Sequence, residues 1–380
     1  MATPSFPPFD LARLLQTVFN PTGGERVAVL IDLEDPQQIK NFAFLQNDRC
    51  PIQHLAYKVF YQGLRDGALA QLGLSGGDLF AYKITGGSNL DLPAQAWTPE
   101  GTEVNLEREV YSHYQLILCV TTYSATAPLT AFARKYGFRG ATLHGLNDII
   151  LQTGLAMDNL EVSATAERLR LGLTGADWFE IEYRYAGEKY VLRMEINGRP
   201  AMKAHGLARE NRPDVVNLPG GEVYYVPAGA EGRFPRRYED GTIGLLDVSG
   251  GRVTHASLGE GDQKVIDFQN HKLAAEPMAG VLGELGFGTQ ILPPAGCDIQ
   301  DEKIFGTFHV ATGRSDHLGG DLAPAQFKVK EYATHDDILF APFKTPEIEV
   351  PEVRMRRNGE TTVILRNYQP TKYLLALRNS

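Results

Sequence analysis

Cysteine is scarce in this 380-residue chain: Cys50, Cys119 and Cys297 are odd in number, far apart, and form no CxxC pair. That argues against a disulfide framework and a thiolate zinc site, and leaves reduced, mostly buried thiols as the expectation. Long apolar runs are missing too. No stretch approaches the roughly 18 residues of a membrane span, and the opening MATPSFPPFDLARLL lacks the basic and apolar regions of a secretory signal. A cytoplasmic address is the simplest expectation, with no membrane partner. Positive charge is also in short supply. Against 46 Asp and Glu there are 37 Lys and Arg, a formal net charge of -9, so no nucleic-acid partner is expected despite the local basic stretch at Arg233 to Arg237. No GxGxxG or Walker loop follows any apolar run. GGSN at Gly86 to Asn89 and LSGG at Leu74 to Gly77 read as turns.

What is present is an ordinary globular balance, 43% hydrophobic and 22% charged, in a chain long enough for two cores. Asp10 to Phe19 places leucines at helical spacing behind an Asp cap. Arg26 to Leu33 is an apolar, β-branched run that predicts a buried strand, and Leu79 to Thr85 and Tyr114 to Val120 predict two more. Pro51 to Leu72 and Thr126 to Tyr136 read as helices, the second stopped by Gly137. Past a connecting helix at Leu160 to Leu173 the texture changes. Trp178 to Tyr185 and Tyr190 to Ile196 alternate, and glycine and proline punctuate short segments. The fold class expected is an α/β domain over residues 1–160, then a β-rich α+β domain over 161–380 that carries the metal-binding residues.

Five segments of the second half hold carboxylates or imidazoles among glycines or apolar residues: NLPGGEVYYVP, GELGFGTQ, DEKIFGTFHVATG, RSDHLGG and THDDILF. Glycine permits close backbone approach, and an ionised carboxylate in apolar surroundings is costly unless paired or metal-bound. His335 and Asp337 would share one strand face, offering one imidazole and one carboxylate to the same ion. His309 stands between Phe308 and Val310. Mixed nitrogen and oxygen donors suit zinc, cobalt, manganese or iron(II).

In order and spacing these segments resemble the aminopeptidase T / aminopeptidase S family of metallo-exopeptidases. That family has a Glu after an NLP-type turn, a second in a GELG-like segment, a His in GTxH and a C-terminal HxD. Here those positions are Glu222, Glu284, His309, His335 and Asp337, and the likeness covers about residues 210–340. The resemblance implies a two-metal centre of zinc, cobalt or manganese, with Glu222 also catalytic. It implies a hydrolase that releases the N-terminal residue of a short peptide or a related amide, and a homodimer. One position departs from it. The family places a catalytic tyrosine shortly after GTxH, whereas this chain has Arg314-Ser315-Asp316-His317. His317 reads either as a replacement donor or acid–base group, or as an exposed loop histidine beside Asp316.

A ring-opening 2,5-dihydroxypyridine dioxygenase resembles the same superfamily and supplies the rival reading. It implies a single iron(II) on His309, His335 and Asp337 and a small-molecule aromatic substrate, with His144 of Leu143-His144-Gly145 as a further catalytic candidate or a packing histidine. A third reading is a binding protein that keeps the fold without turnover. The complete five-residue set favours the hydrolase at this stage.

Overall fold

The computed structural model describes residues 5–380. Its contacts divide the chain into two compact units, each assembled from three chain segments. The first runs to Ala164 and adds Ala204–Gly220 and Leu292–Asp301; the second comprises Thr165–Lys203, Gly221–Ile291 and Glu302–Ser380. The contiguous division at residue 160 therefore does not describe the contacts, because two later segments return to the first unit.

The first unit is built on a seven-stranded sheet. Its strands are β1 (Arg26–Leu33), β2 (Ser75–Lys83), β3 (Gln95–Trp97), β4 (Glu103–Asn105), β5 (Leu116–Cys119), β6 (Arg139–Thr142) and the later β10 (Asp214–Asn217), in the order β10-β6-β5-β1-β2-β3-β4. The five strands from β10 to β2 are parallel. Alternate residues of β1 enter opposite cores: Val27, Val29 and Ile31 pack with Leu15 and Phe19, while Ala28 and Leu30 join a second cluster with Leu129 and Ala133. Burial on both faces explains why β1 reads as an unbroken apolar run. The helix Leu11–Phe19 is capped as expected, Asp10 accepting from Arg13 N at 2.8 Å, and Thr126–Tyr136 ends at Gly137, which takes φ 85°. Leu74 to Gly77 is not the expected turn. β2 already begins at Ser75, with Gly76 at φ 79° beside a register shift opposite Val27, where a side chain would meet the Val27 carbonyl.

The second unit stacks two sheets. An eight-stranded sheet contains β7 (Trp178–Tyr185), β8 (Glu188–Glu195), β12 (Gly229–Arg237), β13 (Ile243–Ser249), β14 (Arg252–Glu260), β18 (Glu349–Arg357), β19 (Glu360–Arg366) and β20 (Gln369–Pro370). A five-stranded sheet runs β17-β16-β15-β11-β9, with β9 at Met202–Ala204, β11 at Glu222–Tyr225, β15 at Leu282–Gly288, β16 at Phe308–Gly313 and β17 at His335–Phe340. Leu285, Phe287, Phe308, Val310, Ile338 and Phe340 of the smaller sheet face Phe179, Tyr183 and Val353 of the larger. The Phe308 and Phe340 rings stack at 5.1 Å, and Phe179 lies 5.2 Å from Phe287. Each such buried side chain contributes about 1.5–3 kcal/mol. A one-residue slip would turn all of them outward, so this apolar row fixes which residues occupy the opposite face. The protein is thus mixed α/β with several sheets, and among the described residues no helix is long and apolar enough to cross a membrane.

Candidate metal centre

The opposite face of the five-stranded sheet carries the polar residues. Antiparallel register sets Glu222 against Gly288, His309 against Gly286, Ala311 against both Glu284 and Asp337, and His335 against Gly313. Two glycines make room. A Cβ on Gly286 would lie 2.1 Å from the His309 ring, so the imidazole can lie across β15 only because that residue has no side chain. A Cβ on Gly288 would meet the Ile304 carbonyl at 2.1 Å and that of Glu302 at 2.7 Å, so the chain at 302–304 can pass close beneath the sheet.

All five expected ligands converge. His335 Nε2 is 3.0 Å from Glu284 Oε2 and 3.3 Å from Asp337 Oδ1. His309 Nε2 is 3.4 Å from Glu284 Oε1, 3.7 Å from Glu222 Oε2 and 3.9 Å from Asp337 Oδ1. Glu222, Glu284, His309 and His335 are buried, whereas the Asp337 side chain keeps 32% of its surface accessible. Two residues that sequence reading passed over complete the cluster. Glu302 shares a donor group with His309 and Asp337. Lys303 is fully buried, with its ammonium 2.7 Å from Glu222 and 2.5 Å from Glu302. Their signal was present as two adjacent charges inside the DEKIFGTFHV segment, just ahead of an apolar strand.

The electrostatics are those of a buried enclosure in which carboxylates and cationic groups set one another's charge. Burial pushes His309 down, but Glu284, Glu302 and Asp337 override it and hold the imidazole at about 10. Burial likewise opposes charge on His335, and Asp337 and Glu284 keep it well above its ordinary value. Burial would raise Glu284, yet the two imidazoles hold it low. Glu302 is pushed up to about 8 by burial against the pull of Lys303. Four carboxylates and two imidazoles fit a divalent cation in donor type. His335 Nδ1 lies 2.6 Å from the Arg314 carbonyl, which fixes a tautomer that frees Nε2 for a cation. Glu222 Oε2 and His309 Nδ1 are buried without a hydrogen-bond partner among the described residues. A cation among these atoms would replace the imidazole protons, so loading releases protons.

No known protein family matches the sequence, and no curated protein does. Among solved structures, the chain is similar to a 2,5-dihydroxypyridine dioxygenase from Pseudomonas putida. It superposes with a TM-score of 0.58 over 92% of each chain at 13% identity. That likeness establishes a shared fold and gives no particular support to aminopeptidase T or S, the resemblance on which the hydrolase expectation rested.

The other two candidates separate. His317 is not the exposed loop histidine of one reading. Its side chain is 5% accessible, its ring stands edge-on to His335 at 4.9 Å between centroids, and Nδ1 lies 4.0 Å from Asp316. Burial, with the charges of His335 and Arg314, lowers it to about 3, so the ring is neutral. Arg314, also buried, holds Asp316 through two bonds of 2.9 and 3.0 Å and so fixes this turn. His144 lies half-buried just after β6 in the first unit, and none of the candidate donor groups among the described residues includes it.

Proposed function

We propose that the chain is a mononuclear metal-dependent oxygenase acting on a small, electron-rich hydroxylated ring, similar in activity to the dioxygenase whose fold it shares. Lys303 carries the reading. A two-ion hydrolase uses Glu222 to neutralise a second divalent cation, and here a protein-borne ammonium 2.7 Å away already does so. On this reading a single ion would be held by His309 and His335, whose Nε2 atoms lie 3.9 and 3.3 Å from Asp337 Oδ1, the two imidazoles and one carboxylate suited to iron(II). Glu284 lies beside them. The absence of the family tyrosine agrees with this choice.

Iron(II) held there would supply the redox chemistry by which dioxygen reacts with such a ring. The protein's own groups do the rest. The Arg314 carbonyl orients His335, and Lys303 keeps Glu222 and Glu302 compensated. Asp337 opens the cluster toward solvent, the side from which substrate enters. On this reading His317 Nδ1, enclosed and without a hydrogen-bond partner among the described residues, would meet a ring hydroxyl or nitrogen.

Protein purified without oxygen should carry one equivalent of iron. It should consume one dioxygen per hydroxylated pyridine or catechol lost, and be inert under nitrogen. Two equivalents of zinc, cobalt or manganese, with oxygen-independent release of N-terminal residues from a peptide, would overturn the reading in favour of hydrolysis.

A further inference from the structure

The donors around Glu284 form overlapping sets. One is Glu284, His335 and Asp337; another is Glu222, Glu284 and His309, every member buried, with the donor atoms of each set within 4.8 Å of one another. His309 Nε2 can serve one ion only, so a second ion in this set would rest on carboxylates. Glu222 Oε2, buried and without a hydrogen-bond partner among the described residues, lies 3.7 Å from His309 Nε2. Its other oxygen, Oε1, belongs to Lys303. Glu302, the second carboxylate on that ammonium, also reaches toward His309 and Asp337.

We propose that Lys303 sets the number of ions in this centre, and that its removal opens a second divalent-cation site on the carboxylates of Glu222, Glu284 and Glu302. The inference rests on the mononuclear reading above. An ion bound at Glu222 Oε2 would stand a few ångströms from the ammonium, and like charges repel strongly in a water-poor enclosure. Conversely, without Lys303 the buried Glu222 loses its nearest cationic partner, a costly arrangement that a bound cation relieves. Gly288 is part of the device, since a side chain there would strike the Glu302 and Ile304 carbonyls and hold Lys303 away from Glu222.

The probe is manganese(II) alone, titrated into the full chain after chelation, with stoichiometry read by calorimetry and spin coupling by electron paramagnetic resonance. The native chain should take one ion and give an uncoupled signal. Lys303→Met should take two and give the exchange-coupled signal of a pair, and Lys303→Met with Glu222→Gln should return to one. Glu222→Gln alone provides a check that does not require Lys303→Met to fold: the first ion's Kd should change by less than about threefold, whereas losing a true ligand or its support weakens binding about 10- to 100-fold. A folded Lys303→Met that still binds one ion, or a Glu222→Gln that loses the first, overturns this inference alone. Two ions in the native chain would overturn both it and the mononuclear reading.

Discussion

Asp32 of the parallel sheet and Glu284 of the small antiparallel sheet are buried to a similar degree, 1% and 4% exposed, yet their surroundings differ in kind. Asp32 stands with neutral donors: Gln53 Nε2 at 2.7 Å, Thr122 N at 2.9 Å and Thr122 Oγ1 at 3.2 Å. Glu284 instead faces two imidazoles, with Glu222 and Asp337 crowding the same space. A buried carboxylate that neutral donors from neighbouring segments satisfy holds a fold together. A group of carboxylates packed closer than their own charges favour, with acceptors left over, is a place prepared for a cation.

His335→Ala tests that difference most severely. It removes the imidazole with the best-fixed tautomer, so the proposed oxygenase activity should fall by several orders of magnitude. The stabilisation by added metal, about 2.7 kcal/mol at a hundredfold excess over Kd, should disappear from chelator-dependent melting curves. Unchanged curves for native and variant protein alike would remove the ion from the account.

Gly286→Ala comes next. Its methyl would occupy the His309 ring position, so metal affinity should weaken about 10- to 100-fold, and overpacking should cost about 1–3 kcal/mol in denaturant unfolding. A variant with native metal affinity would show that His309 lies elsewhere when the ion is bound.

Asp32→Asn should give the smallest effect and the contrasting one. The new amide would face the donors of Thr122 and Gln53, costing about 1–3 kcal/mol of stability with metal stoichiometry untouched. Burial raises Asp32, its hydrogen bonds only partly offsetting this. Between its unfolded and folded pKa the native state binds more protons, so this group's contribution to stability falls as pH rises through that window. Asn removes that slope. Loss of metal from Asp32→Asn would erase the distinction drawn between the two sites.

Much of the architecture was legible because its causes are local. Arg26–Leu33 and Trp178–Tyr185 form strands over the residues their patterns marked, and Thr126–Tyr136 stops where Gly137 permits a left-handed turn. The HxD spacing put His335 and Asp337 on one face because a strand alternates, and the structure shows that strand. Other features have no local cause. β10 pairs with β6 across more than 70 residues of sequence, and its four residues, Asp214–Asn217, carry no distinctive pattern, so nothing in the chain marks the return of Ala204–Gly220 to the first unit. Likewise the sequence displays Glu302 and Lys303 as adjacent charges but not their partner. Only the close passage of 302–304 beneath Gly288 brings the ammonium to Glu222, the contact on which the proposed ion number rests. Residue types and strand periodicity thus determined by themselves which side chains are available for metal chemistry. Charge compensation depends on distances between segments far apart in the chain, and the tertiary structure alone sets those.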